Sequence, residues 1–388
     1  MKARSVFVRG KAIACALGED PTVVVAAMRA NAIKTTPIAF ELTEPDRTRP
    51  YYILPGKDAI CAGDPAEWFY EVLISTVARA IADAGLSPAQ VEAMGIFLGS
   101  TSMDIPIYET LYCAEDRQTR DYFTQSASGF GAIAARVAKH FGIAGPCHTF
   151  TTACTSSANG LLYASALIEQ EELSRALVIG YDRFNQLGFY GFEALKLLSG
   201  STYRPFDKRR DGIIMGEACG AVILDSERMR ADDFQLLGGA NTCDTHNVAL
   251  HNTDGKVVAQ VMAAALAAAG IPAARISAIK AHATGSVHND LTEANAIRSV
   301  FGSQVPPVTG LKPYLGHTVG ACGVVELLLF AEAVRAGFIP ATPGWEVFDE
   351  ELALTPLLVH LPIDRGTFLL NYFGFGGNCT TLIVTNEE

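Results

Sequence analysis

The stretch Ala82–Thr101, ADAGLSPAQVEAMGIFLGST, has a counterpart further along the chain in Ala267–Ser286, AAAGIPAARISAIKAHATGS. Each reads as a helix closed by a glycine (Gly85, Gly270), then a proline-containing connection, then a short apolar strand. Counted from the glycines, Val91 matches Ile276 and Ala93 matches Ala278. The preceding segments, 65–84 and 256–269, carry apolar residues at helical spacing. A second pair follows, CTSSANG (Cys154–Gly160) and HTVGACG (His317–Gly323), each after a strand-like run and before a long apolar helix. A third pairs ACGAVILD (Ala218–Asp225) with NCTTLIVT (Asn378–Thr385). Three matches in one order predict a duplicated α/β protein, with halves 1–229 and 230–388 packed about a pseudo-twofold.

The duplication changes the reading of Cys154. Taken alone, a cysteine among small residues at a strand-to-helix turn is a buried apolar residue. In a duplicated fold, the start of one helix carries Cys154 and the start of its partner carries His317. Two such helices meeting near the axis would bring a thiol to an imidazole. A helix N-terminus presents unpaired N–H groups and positive potential, which predicts a lowered thiol pKa and a ready oxyanion site.

Composition narrows the class. Of 388 residues 49% are hydrophobic and 18% charged, as in an enzyme with an extensive core rather than a disordered chain. The net charge of −11 argues against nonspecific nucleic-acid binding, so an acidic partner must dock on a local basic patch. DKRRDG (Asp207–Gly212) and the set Arg136, Lys139 and His140 are candidates, unless they are ordinary solvated faces. Nine cysteines without CxxC pairs suit reduced thiols and a cytoplasmic location. VFVRG reads as a first strand rather than part of a signal peptide. VVAQVMAAALAAAGIP is too short to span a bilayer.

Five segments together resemble the β-ketoacyl-acyl-carrier-protein synthases of the thiolase superfamily, the elongating type with a Cys-His-His triad. They are GPCHTFTTACTSSANGL, the block GFEALKLLSGSTYRPFDKRRDGIIMGEACGAVIL, AHATGSVHNDLTE, LKPYLGHTVGACGVVE and NYFGFGGNC. The resemblance implies a five-layered αβαβα arrangement of two α/β halves. It also implies a decarboxylative Claisen condensation between an acyl group on Cys154 and a malonyl thioester. His282 and His317 would hold the enolate oxygen, and the amides of Cys154 and Phe375 the acyl oxyanion. Lys312 and Glu326 would pair behind the histidines. Asn289, Asp290 and Glu293 would organise the loop around His282. Phe375 and Gly376, in GFGG, would gate the acyl channel.

Read without the resemblance, Lys312 could be a surface lysine in a Gly/Pro loop, and GFGG a simple turn. Glu326, on a strongly apolar helix, is costly to bury without a partner, which favours the pairing. His246, His251 and His288 could line an entrance, although the first two sit in a Thr/Asn-rich loop where solvation is the default. Cys219, Cys322 and Cys379 are expected to pack.

The chain departs from the housekeeping elongating enzymes at Ala283, where they usually carry glycine. It departs again at GGNC, and in MDIPIYETLYCAEDRQTRDYF after GIFLGSTS, a segment expected to shape the acyl pocket. These departures favour a specialised ketosynthase, as in aryl polyene or polyketide-like synthesis, over fatty-acid elongation. The alternative is a non-catalytic chain-length-factor-like subunit. The implied partners are an acyl carrier protein and a second ketosynthase-like chain in a homodimer or heterodimer. No cofactor or metal is implied, since the phosphopantetheine arm arrives on the substrate.

Overall fold

A computed structural model describes residues 4–40, 44–56, 65–113 and 129–387. Ten strands form one continuous sheet: β1 (Val6–Ala14), β2 (Gly95–Gly99), β3 (Cys147–Phe150), β4 (Arg175–Asp182), β5 (Ala218–Asp225), β6 (Gln235–Cys243), β7 (Ala278–Lys280), β8 (Val308–Thr309), β9 (Thr367–Phe373) and β10 (Asn378–Thr385). Across the sheet they run β8-β7-β9-β10-β6-β1-β5-β4-β2-β3. The first five strands therefore order as 3-2-4-5-1 and the second five as 8-7-9-10-6. Parallel and antiparallel pairings repeat in the same places. The two sets meet where β1 pairs antiparallel with β6 through Val6–Leu236 and Phe7–Gln235.

The helices that position the site are α1 (Pro65–Ala84), α2 (Ala132–Phe141), α3 (Ser156–Glu169), α4 (Gln186–Ala194), α5 (Lys256–Ala269), α6 (Val287–Phe301) and α7 (Cys322–Arg335). α1 and α2 cover the outer face of the first five strands, and α5, backed by α6, covers that of the second. α3 and α7 lie between the two sets and touch both. This is the five-layered arrangement. The sheet layers are covered on both faces, so strands such as RALVIGYD read as continuous apolar runs rather than alternating ones. Parity still sorts their side chains. Ala176 and Val178 face the central helices, whereas Leu177 and Ile179 face the outer ones.

The central helices approach closely because their crossing points are small. A Cβ on Gly323 would lie 2.1 Å from the Ala158 nitrogen, and one on Gly99 only 2.2 Å from that of Ser157. Substitution at either would push the layers apart.

Two of the three sequence matches are corrected by the register. β2 pairs with β3 through Ile96–Cys147, and β7 with β8 through Ile279–Val308, so Ile96 and Ile279 are equivalent. The match of Val91 with Ile276 and Ala93 with Ala278 is out by two residues. The first connection holds a short helix with a capping box at Ser87 and Gln90, where the second has a single tight turn, Ala273–Arg275. Likewise Ala153 and Val319 both adopt left-handed φ (52° and 45°) at the start of a tight turn leading into α3 or α7. Cys154 is therefore equivalent to Gly320, not to His317. His317 lies upstream, on a connection that is longer in the second half. The third match stands, since β5 and β10 occupy the same place and pair in the same register. Among the described residues no helix is long and apolar enough to cross a membrane.

Candidate active site

Cys154 follows β3 by a strained turn. Ala153 takes a left-handed φ that costs a non-glycine residue roughly 1 kcal/mol or more, and this bend aims the next side chain across the interface. The Cys154 sulfur lies 3.1 Å from His317 Nε2, and the backbone N–H groups of Cys154 and Phe375 both face it. The juxtaposition expected from the duplication is present, although His317 reaches it from a loop rather than from a helix start.

The expected lowered thiol pKa is not found. Burial pushes the Cys154 thiol up to about 12, outweighing the nearby Lys312 cation and the two amides. Taking a thiolate out of water costs more than one helix terminus returns. His317 is likewise held well below the ordinary imidazole range by burial and then by Lys312. At neutral pH the resting pair is a neutral thiol beside a neutral imidazole.

His317 is fixed through its backbone: its N–H donates to Ile214 (2.7 Å) and its carbonyl accepts from Gly216 (3.0 Å). The His282 ring stands 5.4 Å from that of His317 and nearly perpendicular to it, with Phe373 against its other side. Lys312 is buried, not a surface lysine. Its Nζ donates to the His282 carbonyl (2.6 Å) and Glu326 Oε1 (2.6 Å), and lies 3.3 Å from His282 Nδ1. An ammonium has only N–H groups to offer, so Nδ1 accepts and the ring proton of His282 sits on Nε2.

The loop residues predicted around His282 are in place. Glu293 accepts from the N–H groups of His282 (2.8 Å) and Ala283 (2.9 Å) and from Asn371 (3.1 Å). Burial raises its carboxyl to about 7. Asp290 accepts from Phe206 (2.7 Å) and Gly285 (3.1 Å), which ties the RPFD segment to this loop. Asn289 lines the cleft. Ala283 has a left-handed φ of 51°, which explains why glycine suits this position.

Two chambers meet at the sulfur, and Cys154, Phe192 and Phe375 line both. The outer cleft, about 530 Å³, also holds both site histidines, His251, His288, Thr284 and Asn289. The second chamber is lined by Thr101, Ser102, Ile105, Asn185, Met215 and Val319 among others. Phe375 stacks on Phe192 at 5.4 Å between ring centres, at the boundary between the two. Gly376 is exposed with φ 79°, and its N–H donates to Val248. Of the segment 103–123 expected to shape the pocket, Ile105 contributes; residues 114–123 lie outside the described residues.

Some expectations fail. His251 is not solvated: it is largely buried beside Phe373, 3.6 Å from Cys379, while His246 is exposed. DKRRDG is no free basic patch, because Lys208 pairs with Glu350, Arg209 with Glu346 and buried Arg210 with Asp349. Arg136 lies over the ring of Tyr70, and Lys139 and His140 are exposed. Cys219, Cys322 and Cys379 are buried as expected, and the Cys322 thiol contacts the Cys154 carbonyl at 2.9 Å. Two buried residues in contact with the site's surroundings were not singled out from the sequence. Buried Lys280 shares Glu326 with Lys312. Asp182 accepts from Ser100, Ser102 and Thr101 on one side and from the Ala321 N–H on the other, clamping the two halves beside Cys154.

Comparison with known proteins agrees with this geometry. The family model "Beta-ketoacyl synthase, N-terminal domain" matches residues 65–230, and "Beta-ketoacyl synthase, C-terminal domain" matches residues 234–346. The chloroplastic 3-oxoacyl-[acyl-carrier-protein] synthase II of Arabidopsis thaliana is 28% identical over 341 residues, which is 81% of this chain and 62% of the relative, less than two thirds of its length. The ishigamide ketosynthase/chain length factor structure is 26% identical with a TM-score of 0.86, covering 100% of both chains. The ketosynthase ApeO in complex with its chain length factor ApeC, from Xenorhabdus doucetiae, shares the fold at 24% identity and a TM-score of 0.86, covering 98% of each chain. With both models matched in succession over most of its length, the chain belongs to the beta-ketoacyl synthase family.

Proposed function

We propose that this chain joins an acyl group carried on Cys154 to a malonyl unit on an acyl carrier protein, with loss of carbon dioxide. The observation that carries this reading is the sulfur 3.1 Å from His317 Nε2, with His282 alongside, where the two chambers meet. In the first step the sulfur attacks the thioester carbonyl of an acyl carrier. The carbon–sulfur bond to the carrier breaks, and the thiol proton leaves on the carrier's pantetheine sulfur, with His317 Nε2–H donating to the attacking sulfur. The amides of Cys154 and Phe375 hold the oxyanion.

The malonyl thioester then enters the outer cleft. Breaking its carbon–carboxylate bond releases carbon dioxide and leaves the electron pair as an enolate. His282 donates Nε2–H to the enolate oxygen, and His317 in its Nε2–H form is the second donor. Each such donor is typically worth ~3 kcal/mol in the transition state. The enolate carbon attacks the acyl thioester, a carbon–carbon bond forms, the acyl–sulfur bond to Cys154 breaks, and the released thiolate takes a proton from solvent. No resident cofactor enters these steps.

Within this reading a specialised, polyketide-like pathway is favoured over fatty-acid elongation by Ala283, by Asn378–Cys379 after the glycine loop, and by segment 103–123. Pairing with a second, related chain fits β3, which is the last strand of the sheet among the described residues, since an edge strand invites strand addition. A non-catalytic chain-length subunit is the alternative, which the intact thiol, imidazole and lysine set disfavours.

The test is incubation with malonyl-carrier protein and acyl-carrier proteins of varied length and unsaturation, followed by mass spectrometry. An acyl adduct on Cys154 and a β-ketoacyl product are expected. Product formed equally well by Cys154→Ser would overturn the mechanism. A chain that cerulenin leaves unlabelled at Cys154 would point to the silent subunit.

A further inference from the structure

Lys280 ends β7 with its side chain turned between the two sheet halves and no exposed surface. Its Nζ lies 2.5 Å from Glu326 Oε2, 2.7 Å from the Asn371 carbonyl and 3.7 Å from the centre of the Tyr372 ring. Glu326 Oε1 meets Lys312 at 2.6 Å, and Lys312 goes on to the carbonyl and Nδ1 of His282. All these partners are acceptors, so both nitrogens donate. One carboxylate is thus shared by two buried ammonium groups, leaving a surplus positive charge directly behind the histidines.

Burial draws the Lys280 ammonium below the ordinary lysine range and Glu326 pulls it partly back up; among the described residues no second anion contacts it. The groups facing it are Glu326, Lys312, Cys322 and Tyr372; burial holds the Cys322 thiol and the Tyr372 phenol well above their ordinary values, so both are neutral. Glu293 accepts from the backbone N–H groups of His282 and Ala283 and from the Asn371 side chain rather than from either ammonium, and burial has raised its carboxyl to about 7. Nor does the fold need a charge there. The equivalent positions in the first half are Phe97, buried in the apolar core, and Gly160, neither of them charged.

We propose that Lys280 is a positioning residue of the active site. By occupying one oxygen of Glu326 it leaves Lys312 free to hold His282 Nδ1. The surplus charge of the Lys280–Glu326–Lys312 cluster keeps both imidazoles neutral and favours negative charge on Cys154 and on the enolate oxygen. This rests on the roles proposed above for His282 and His317. The low titration of both histidines, caused first by burial and then by Lys312 with Lys280 contributing, agrees with it.

The test is made on the free enzyme, so that it reads the electrostatics whether or not the chain condenses. In Lys280→Met, the His282 and His317 signals followed by histidine-labelled NMR should titrate at least ~1 pH unit higher, and Cys154 alkylation by iodoacetamide at pH 8 should slow ~10-fold. Lys280→Arg should restore both. If Lys280→Met does not fold, Lys280→Gln, which keeps a donor without the charge, gives the same reading. Unchanged histidine titration and an unchanged alkylation profile in a folded neutral variant, even with a lower melting temperature, would reduce Lys280 to a structural residue and leave the condensation proposal standing. A wild-type chain that fails to condense while these shifts appear would overturn only the condensation.

Discussion

Phe97 and Lys280 stand at the same place in the two halves of the sheet, and Gly160 and Glu326 at the same place on the helices that cross them. In the first half both positions are apolar: the Phe97 ring packs by His148 and Tyr163, and a Cβ added to Gly160 would sit 3.3 Å from Val178. In the second half the same space holds an ion pair with Nζ–Oε2 of 2.5 Å. One step further along the strands, Gly99 lets α3 approach, whereas its counterpart His282 faces the cleft. The remaining members, Lys312 and His317, sit on the longer connection between β8 and α7, which has no counterpart before α3. The shared fold is satisfied by the apolar solution. The charged solution costs desolvation and is retained where an anion must be stabilised.

The sharpest way to break this comparison is to move the charge without its partner. Phe97→Lys should destabilise the protein by ~5 kcal/mol or prevent folding, because no carboxylate waits on the Gly160 side. A urea midpoint close to wild type would mean that the two places are not alike. Next in size, Glu326→Leu leaves two ammonium groups buried and unpaired. A loss of roughly 3–5 kcal/mol is expected in urea denaturation, with Lys280→Met recovering part of it in the double variant. His282→Ala should slow malonyl-thioester decarboxylation ~100-fold, since it removes a donor to the enolate, and should also lower the melting temperature, since the ring packs on Phe373 and accepts from Lys312.

The smallest effect concerns Glu293, whose folded pKa of about 7 lies above its ordinary value of 4.5. A carboxyl raised on folding binds its proton more tightly in the native state, so its contribution is full below pH ~4.5 and is lost as pH rises through ~7. The stability advantage of wild type over Glu293→Gln should therefore shrink between pH 5 and pH 8. Melting curves across that range would test the sign, and an advantage that grows with pH would contradict it.

Much of the site was legible in the sequence because its signals are local. Cys154 and His317 each stand in a short small-residue segment before an apolar helix, although these segments are not equivalent, and Glu326 interrupts an apolar helix where only a partner could make it tolerable. Lys280 was not legible. It ends a three-residue strand, AIK, and a lysine there is equally consistent with a strand end turning to solvent; only packing against α7 shows that it points inward. DKRRDG misled for the converse reason. Its cations are local, but Glu346, Asp349 and Glu350 that neutralise them come from a distant part of the chain.

The sequence by itself determined the duplication, because periodicity and motif spacing record which elements exist and in what succession; the layers and the meeting of a sulfur with two imidazoles were implied by the family resemblance. Tertiary structure decided the protonation. A helix start predicts a thiolate, but burial from both halves at once pushes that thiol to about 12 and both imidazoles down. Desolvation depends on everything packed around a group, and no stretch of chain carries that quantity alone.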